Sequence, residues 1–141
     1  MPIGVDIIVR SPDSTSVKLI AEAKRTLPDV APVEEQLKDA MLRLSCPVGL
    51  IVTPEKMWIY ADQYISSDAA SIERIGEFKV ARLFPASVTQ HFESFVQQWL
   101  EDLPRTATRN HVADEKFWNA LNKYVLPAIE TGDVRAAAPR Y

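Results

Sequence analysis

Asp6, Glu22 and Lys24 are the residues of this chain whose types and spacing could do chemistry. Asp6 opens the apolar run Asp6-Ile7-Ile8-Val9-Arg10, and Glu22-Ala23-Lys24 follows on from a second run, Ser16-Val17-Lys18-Leu19-Ile20-Ala21. Between them stands Ser11-Pro12-Asp13-Ser14-Thr15, made of residues that favour turns. Two Val/Ile-rich runs joined this way predict a β-hairpin. With the turn centred near Ser14, antiparallel pairing places Asp6 opposite Glu22. Side chains alternate along a strand, so Glu22 and Lys24 share a face with Ile20 and Lys18. Two carboxylates and an ammonium then converge at the open end of the hairpin. Mg²⁺ is a hard cation that keeps several waters and needs only one or two carboxylates, so this is a candidate magnesium site with a lysine beside it.

A literal Pro-Asp pair stands closer to Glu22, at Pro12-Asp13. On the hairpin reading Asp13 sits at the turn tip, about 25 Å from Glu22 at about 3.3 Å per strand residue. That distance excludes a shared metal ion and leaves Asp13 as a turn former.

Several elements are expected to position these groups. Val33, Leu37, Ala40, Met41 and Leu44 recur at helical spacing and predict an amphipathic helix with proline in its first turn. Gln36 lies on the flank of that stripe. Val48-Gly49-Leu50-Ile51-Val52-Thr53 and Met57-Trp58-Ile59-Tyr60 read as apolar strands joined by a turn at Thr53-Pro54-Glu55-Lys56. Residues 61–76 predict loop or short helix, and Phe78 to Phe84 another strand. Two helices follow, one from about Ser87 to Asp102 carrying His91, Phe92, Phe95, Val96 and Trp99, with Leu103 to Thr108 breaking it. The other begins near Asp114 and carries Phe117, Trp118, Leu121, Tyr124 and Val125.

The acid on one strand, the Glu-x-Lys on the next, the helix bearing Gln36 and the strands after it resemble the PD-(D/E)XK nuclease superfamily. The order of pieces is similar to the N-terminal nuclease domains of type I restriction enzyme motor subunits. The resemblance covers residues 3 to 62. It implies a mixed α/β (α+β) fold with a restriction-endonuclease-like core. That core comprises a mixed β-sheet with hairpin 5–24, a helix over 32–45 and strands over 48–53 and 57–60, with helices in the C-terminal part. Residues 1–84 would form the nuclease-like core, 85–130 a helical extension on the same domain, and 131–141 a flexible tail. The family also places a helix ahead of the acid-bearing strand. None precedes Asp6 here, so the aromatic helices after residue 86, or a second copy of the chain, are expected to cover that sheet face.

The function implied is Mg²⁺- or Mn²⁺-dependent hydrolysis of phosphodiester bonds in nucleic acid, with DNA favoured over RNA. Asp6 and Glu22 would hold the metal, with the backbone carbonyl of Ala23 as a third ligand. Lys24 would act on water or on developing charge, and Gln36 would hold a water or the substrate backbone. The alternative is a catalytically inactive nuclease-like module that binds nucleic acid or a protein partner.

Composition bounds the rest. A chain of 141 residues can bury one core without staples. The single cysteine, Cys46, excludes an internal disulfide, and neither it nor His91 and His111 shows metal-ligand spacing. Four glycines build no phosphate loop. A net charge of −3 argues against broad nucleic-acid binding, although site carboxylates contribute to it and a bound metal would offset them. Lys18, Lys24, Arg25 and Arg43 are candidates for a local basic face. No apolar run is long enough for a membrane span, and no signal peptide is recognisable, which makes a cytoplasmic protein the expectation.

Overall fold

The two leading runs pair as the sequence predicts. The computed structural model describes residues 5–80, 83–84, 91–106 and 114–136. Strands β1 (Ile7–Arg10) and β2 (Val17–Ala23) are antiparallel, with Ile7 opposite Ala21 and Val9 opposite Leu19. Asp13 builds the turn. Its Oδ1 accepts from Ser11 Oγ at 2.6 Å, from Thr15 N–H at 3.1 Å and from Thr15 Oγ1 at 2.7 Å. These bonds, Ser11's foremost, hold its carboxyl down to about 2. Ser14 takes the left-handed conformation, φ 61°, that lets the chain reverse.

Helix α1 (Val30–Arg43) starts two residues before the expected Pro32, because Asp29 caps it and accepts the Ala31 N–H at 3.1 Å. Leu37, Ala40 and Met41 are its buried stripe. Strand β3 (Val48–Val52) runs parallel to β2, and β4 (Lys56–Asp62) returns antiparallel to it. Gly49 lets α1 lie close on β3: a Cβ there would sit 2.7 Å from Met41 Sδ. Cys46 is buried and donates its thiol to Val48 O at 3.1 Å.

Three expectations need correction. A fifth strand, β5 (Ile72–Lys79), takes the end of the stretch read as loop, from Ile72 to Gly76, and begins six residues before the predicted strand at Phe78. The ladder between β4 and β5 shifts register between Ile59 and Tyr60, which throws Ile75 out of alternation and hides the strand pattern. Helix α2 (Phe92–Thr106) also runs through Pro104 instead of stopping before it. Pro104 cannot donate the ladder bond to the carbonyl of Leu100, and the buried Leu100 and Leu103 hold that turn to the core in spite of the loss. Lastly, residues 133–136 are no fraying tail. Asp133–Ala136 form β6, antiparallel to β1 with Ile7 opposite Ala136.

Helix α3 (Glu115–Ala120) is capped by Asp114, which accepts from Lys116 N–H at 2.9 Å and Phe117 N–H at 3.2 Å. It passes through a π-helical turn, Leu121–Val125, into α4 (Leu126–Glu130), with Leu126 N–H donating to Leu121 O. Pro127 accounts for the widened turn, since it has no N–H and its ring would crowd the carbonyl four residues back. His111 and residues 85–90, where the first aromatic helix was expected to begin, lie outside the described residues. His91 is exposed at the start of α2, its carbonyl accepting from Ser94 N–H at 3.0 Å.

The result is a mixed α/β fold with a six-stranded sheet in the order β5-β4-β3-β2-β1-β6. One face carries α1 over Ile20, Ile51, Trp58, Tyr60 and Ile72. The other carries α2 to α4, whose Phe92, Val96, Leu100, Phe117 and Leu121 pack on Ile7, Leu19, Leu50 and Ile59. The aromatic helices therefore cover that sheet face from within the chain. None of the described helices is long and apolar enough to cross a membrane.

Candidate functional site

Alternation along β2 sorts the site. Leu19 and Ala21 point into the core under α2 to α4, and Ile20 points into the core under α1. Glu22 and Lys24 follow Ile20 onto the α1 face, as expected. Glu22 stands beside Ile51 in the parallel ladder, and Lys24 N–H donates to Val52 O at 2.9 Å, which fixes the end of the strand. Lys24 Nζ lies 3.3 Å from Glu22 Oε2; the Glu22 side chain is 2% exposed and that of Lys24 35%. The carboxylate is thus inside the protein, and its ammonium partner stands at the surface.

Asp6 precedes β1 and closes the open end of the hairpin. The register of β1 and β2, continued by one residue, would set it opposite Glu22. Its N–H donates instead to Ala21 O at 3.0 Å, and its Oδ2 accepts the Ala23 N–H at 2.8 Å. The N–H and C=O of one strand residue point to the same side, so the Ala23 carbonyl is also turned toward Asp6. The structure therefore gathers Asp6, the Ala23 main chain, Glu22 and Lys24 at one end of the sheet. Among the described residues, no group of three or more His, Cys, Asp or Glu side chains is placed to hold a metal. A cation here would rest on the two carboxylates, the carbonyl and water. Such an all-oxygen donor set fits Mg²⁺ or Mn²⁺ and is poor for softer metals.

Gln36 is exposed on α1. A helix turns about 100° per residue, which sets Gln36 and Glu34 on opposite flanks of the buried stripe. Glu34 reaches Tyr60 on β4, whose hydroxyl donates to Oε2 at 2.8 Å, and pairs with Arg74 on β5 and with Lys38 at 3.4 Å. The Gln36 flank consequently looks the other way, toward β2 and β1, the side of Glu22. The basic face expected from Lys18, Lys24, Arg25 and Arg43 does not form. Lys18 is at the opposite end of β2 from Lys24, and Arg43 is at the far end of α1, paired with Asp39 at 3.0 Å.

A cleft of about 660 Å³ adjoins the site, between the Arg25–Val30 segment and the Thr53–Lys56 turn, with Trp58 and Glu77 in its wall. Because β2 and β3 are parallel, the loops leaving them must lie at one end of the sheet, where open α/β sheets bind ligands. Arg25, a candidate for the basic face, stands at this cleft, and the crossover was the signal in the sequence for Lys56, a second cation there that motif reading missed. Glu77 accepts from Trp58 Nε1 at 2.7 Å and pairs with Lys56 Nζ at 3.7 Å.

The Glu34 cluster carries a pH prediction. Burial alone would raise the Glu34 carboxyl, but hydrogen bonds from Arg74 and Tyr60 and the Arg74 charge outweigh it and hold the carboxyl below its ordinary value. A depressed carboxyl stabilises the fold above its unfolded pKa of about 4.3, and that contribution is lost as pH falls below it. Denaturation midpoints measured between pH 6 and pH 3 should therefore fall less steeply for Glu34→Gln than for the wild type. An unchanged slope would remove Glu34 from the acid response.

Comparison of the chain with family models, with characterised proteins and with solved structures finds no match.

Proposed function

We propose that this protein is a metal-dependent nuclease with a restriction-endonuclease-like core, acting on phosphodiester bonds in DNA or RNA. The observation that carries this reading is the buried carboxylate of Glu22, its side chain 2% exposed, in a sheet face whose neighbours are Ile20 and Ile51. Burying an ionised carboxylate costs free energy unless it is paired or coordinates a cation. An apolar side chain would satisfy packing there at lower cost, so a Glu at this position, paired with Lys24, points to use of the charge. The order of hairpin, helix α1 and strand β3 supports the same reading.

A divalent ion held by Asp6, Glu22 and the Ala23 carbonyl would supply positive charge for the phosphate oxygens and a more acidic bound water. Asp6 is fixed for such a role by the Ala23 N–H. Lys24 has its ammonium partly in solvent, where it would orient the attacking water or meet negative charge building on the phosphate. Gln36 would hold a second water or the substrate backbone from its flank of α1. The cleft beyond Lys24 would receive the continuing strand, with Arg25 and Lys56 against its phosphates.

A second reading, a catalytically inactive nuclease-like module binding nucleic acid or a protein, is favoured by one observation. The Ala23 N–H and the Lys24 ammonium already serve Asp6 and Glu22 within the chain. Incubation with Mg²⁺ or Mn²⁺ and single- or double-stranded DNA or RNA separates the two. Cleavage that survives Asp13→Ala, together with calorimetric Mn²⁺ binding, supports the nuclease. Absence of both leaves the binding module.

A further inference from the structure

Away from the candidate site, β5 is the terminal strand of the sheet and, among the described residues, pairs with β4 alone. Along it runs a groove of about 520 Å³, bounded on one side by Ile75 to Phe78 and on the other by Lys116, Asn119, Lys123 and Tyr124. We propose that this groove takes an extended polypeptide segment with acidic side chains at alternate positions, which adds to β5 as a further strand.

The two walls supply different parts of the recognition. An edge strand presents the N–H and C=O groups that its one neighbour does not use, and main-chain bonding to such an edge is an established way of holding extended peptides. Gly76 keeps that edge low. The Phe78 ring lies over it, so close that a Cβ on Gly76 would stand 2.6 Å from Phe78 Cζ. Phe78 in turn packs on Phe117 at 5.1 Å between ring centroids, which ties the strand to the helical wall. A peptide strand laid here would send every second side chain toward that wall.

The helical wall is cationic. Lys116 and Lys123 are exposed on it, and Lys123 Nζ lies 5.3 Å from the Tyr124 ring centroid. Glu77, the acid at the groove, already serves Trp58 Nε1 and Lys56 Nζ on the α1 face of the sheet. Acidic side chains at alternate positions of an added strand would therefore meet two lysines across the groove. A phosphodiester backbone could use the lysines but could not pair with the strand edge, which favours a peptide over nucleic acid.

The test uses an acetylated, amidated octapeptide of alternating Glu and Thr, titrated into ¹⁵N-labelled full-length protein and followed by amide chemical shifts. Shifts confined to residues 74–78 and 116–124 are expected. Affinity should fall at least tenfold in the Lys116→Glu, Lys123→Glu double variant and be kept by the double arginine variant. The alternating Lys-Thr octapeptide should not bind. The proposal is overturned if millimolar acidic peptide leaves these amides unmoved, or if both lysine variants bind alike. It is also overturned if an oligothymidylate displaces the peptide at lower concentration, or if the same amides shift with protein concentration alone, which would mark a contact between copies.

Discussion

Lys24→Ala is expected to yield a folded protein that still binds Mn²⁺ and cleaves nucleic acid about 10²–10⁴-fold more slowly, the usual loss when a positioned proton-handling or charge-bearing group is removed. The lysine stands 3.3 Å from Glu22 but is not among the groups that would hold the ion. Metal affinity and turnover should therefore separate in this variant. Asp6→Asn and Glu22→Gln should lose both together. Asparagine at position 6 keeps an oxygen for the Ala23 N–H, but its amide nitrogen replaces the second carboxylate oxygen and the charge is lost, so Mn²⁺ binding should disappear. The stability cost is also asymmetric. Glu22→Gln leaves an ammonium that can turn into water, whereas Lys24→Ala takes the Lys24 cation from a buried carboxylate, at about 1–3 kcal/mol. Assays belong well below the unfolding transition. Single-turnover cleavage with calorimetric Mn²⁺ titration decides: a Lys24→Ala enzyme keeping most of its rate, or an Asp6→Asn protein binding metal normally, contradicts the assignment.

Gly132→Ala is the substitution expected to harm the fold most. A Cβ at this position would lie 2.7 Å from Val9 Cγ1 and 2.9 Å from the carbonyl oxygens of both Ala128 and Arg10. Two of these three neighbours are main chain, so β6 must move off β1 to admit the methyl. Overpacking of this kind costs about 1–3 kcal/mol, and the upper end is expected where backbone has to shift. Gly49→Ala gives the internal comparison. Its new methyl would press on Met41 Sδ and the end of Leu37, flexible side-chain atoms that can yield. Urea denaturation of the two variants should rank Gly132→Ala clearly below Gly49→Ala. The reverse order would mean that β6 contributes little.

The hairpin and the pairing of Asp6 with the Glu22 end were legible because local signals agreed: two Val/Ile runs, a turn built around Asp13, and a count that fixes register. The same period placed Glu22 and Lys24 on the α1 face and gave the apolar stripe of that helix. What was hidden depended on partners distant in sequence. Asp6 donates to Ala21 O and accepts from Ala23 N–H, a local departure from the ladder that residue types do not announce. Strand β5 carries Glu73, Arg74 and Glu77 at a sheet edge and a register shift in its middle, so neither period nor hydrophobicity marks it. The four residues of β6, half of them charged, have no strand pattern of their own. They are extended because β1 offers them an edge. The Glu34 network and the cleft at Arg25 likewise come from crossovers, which bring together segments that no short motif contains.

Strand β1 draws one neighbour from the segment just after it and the other from the last residues described. During synthesis the hairpin can close as soon as β2 has left the ribosome, but the second edge of β1 stays bare until Asp133 to Ala136 have been made. Such long-range pairing is slow to form, because partners such as Arg10 and Asp133 stand far apart along the chain. Until then an Ile- and Val-rich edge beside the candidate site is open to other strands, a recognised route to aggregation. Trimming that removes Asp133 to Ala136 would restore that exposed edge in a finished molecule, so β6, four residues long, is expected to protect the protein from aggregation.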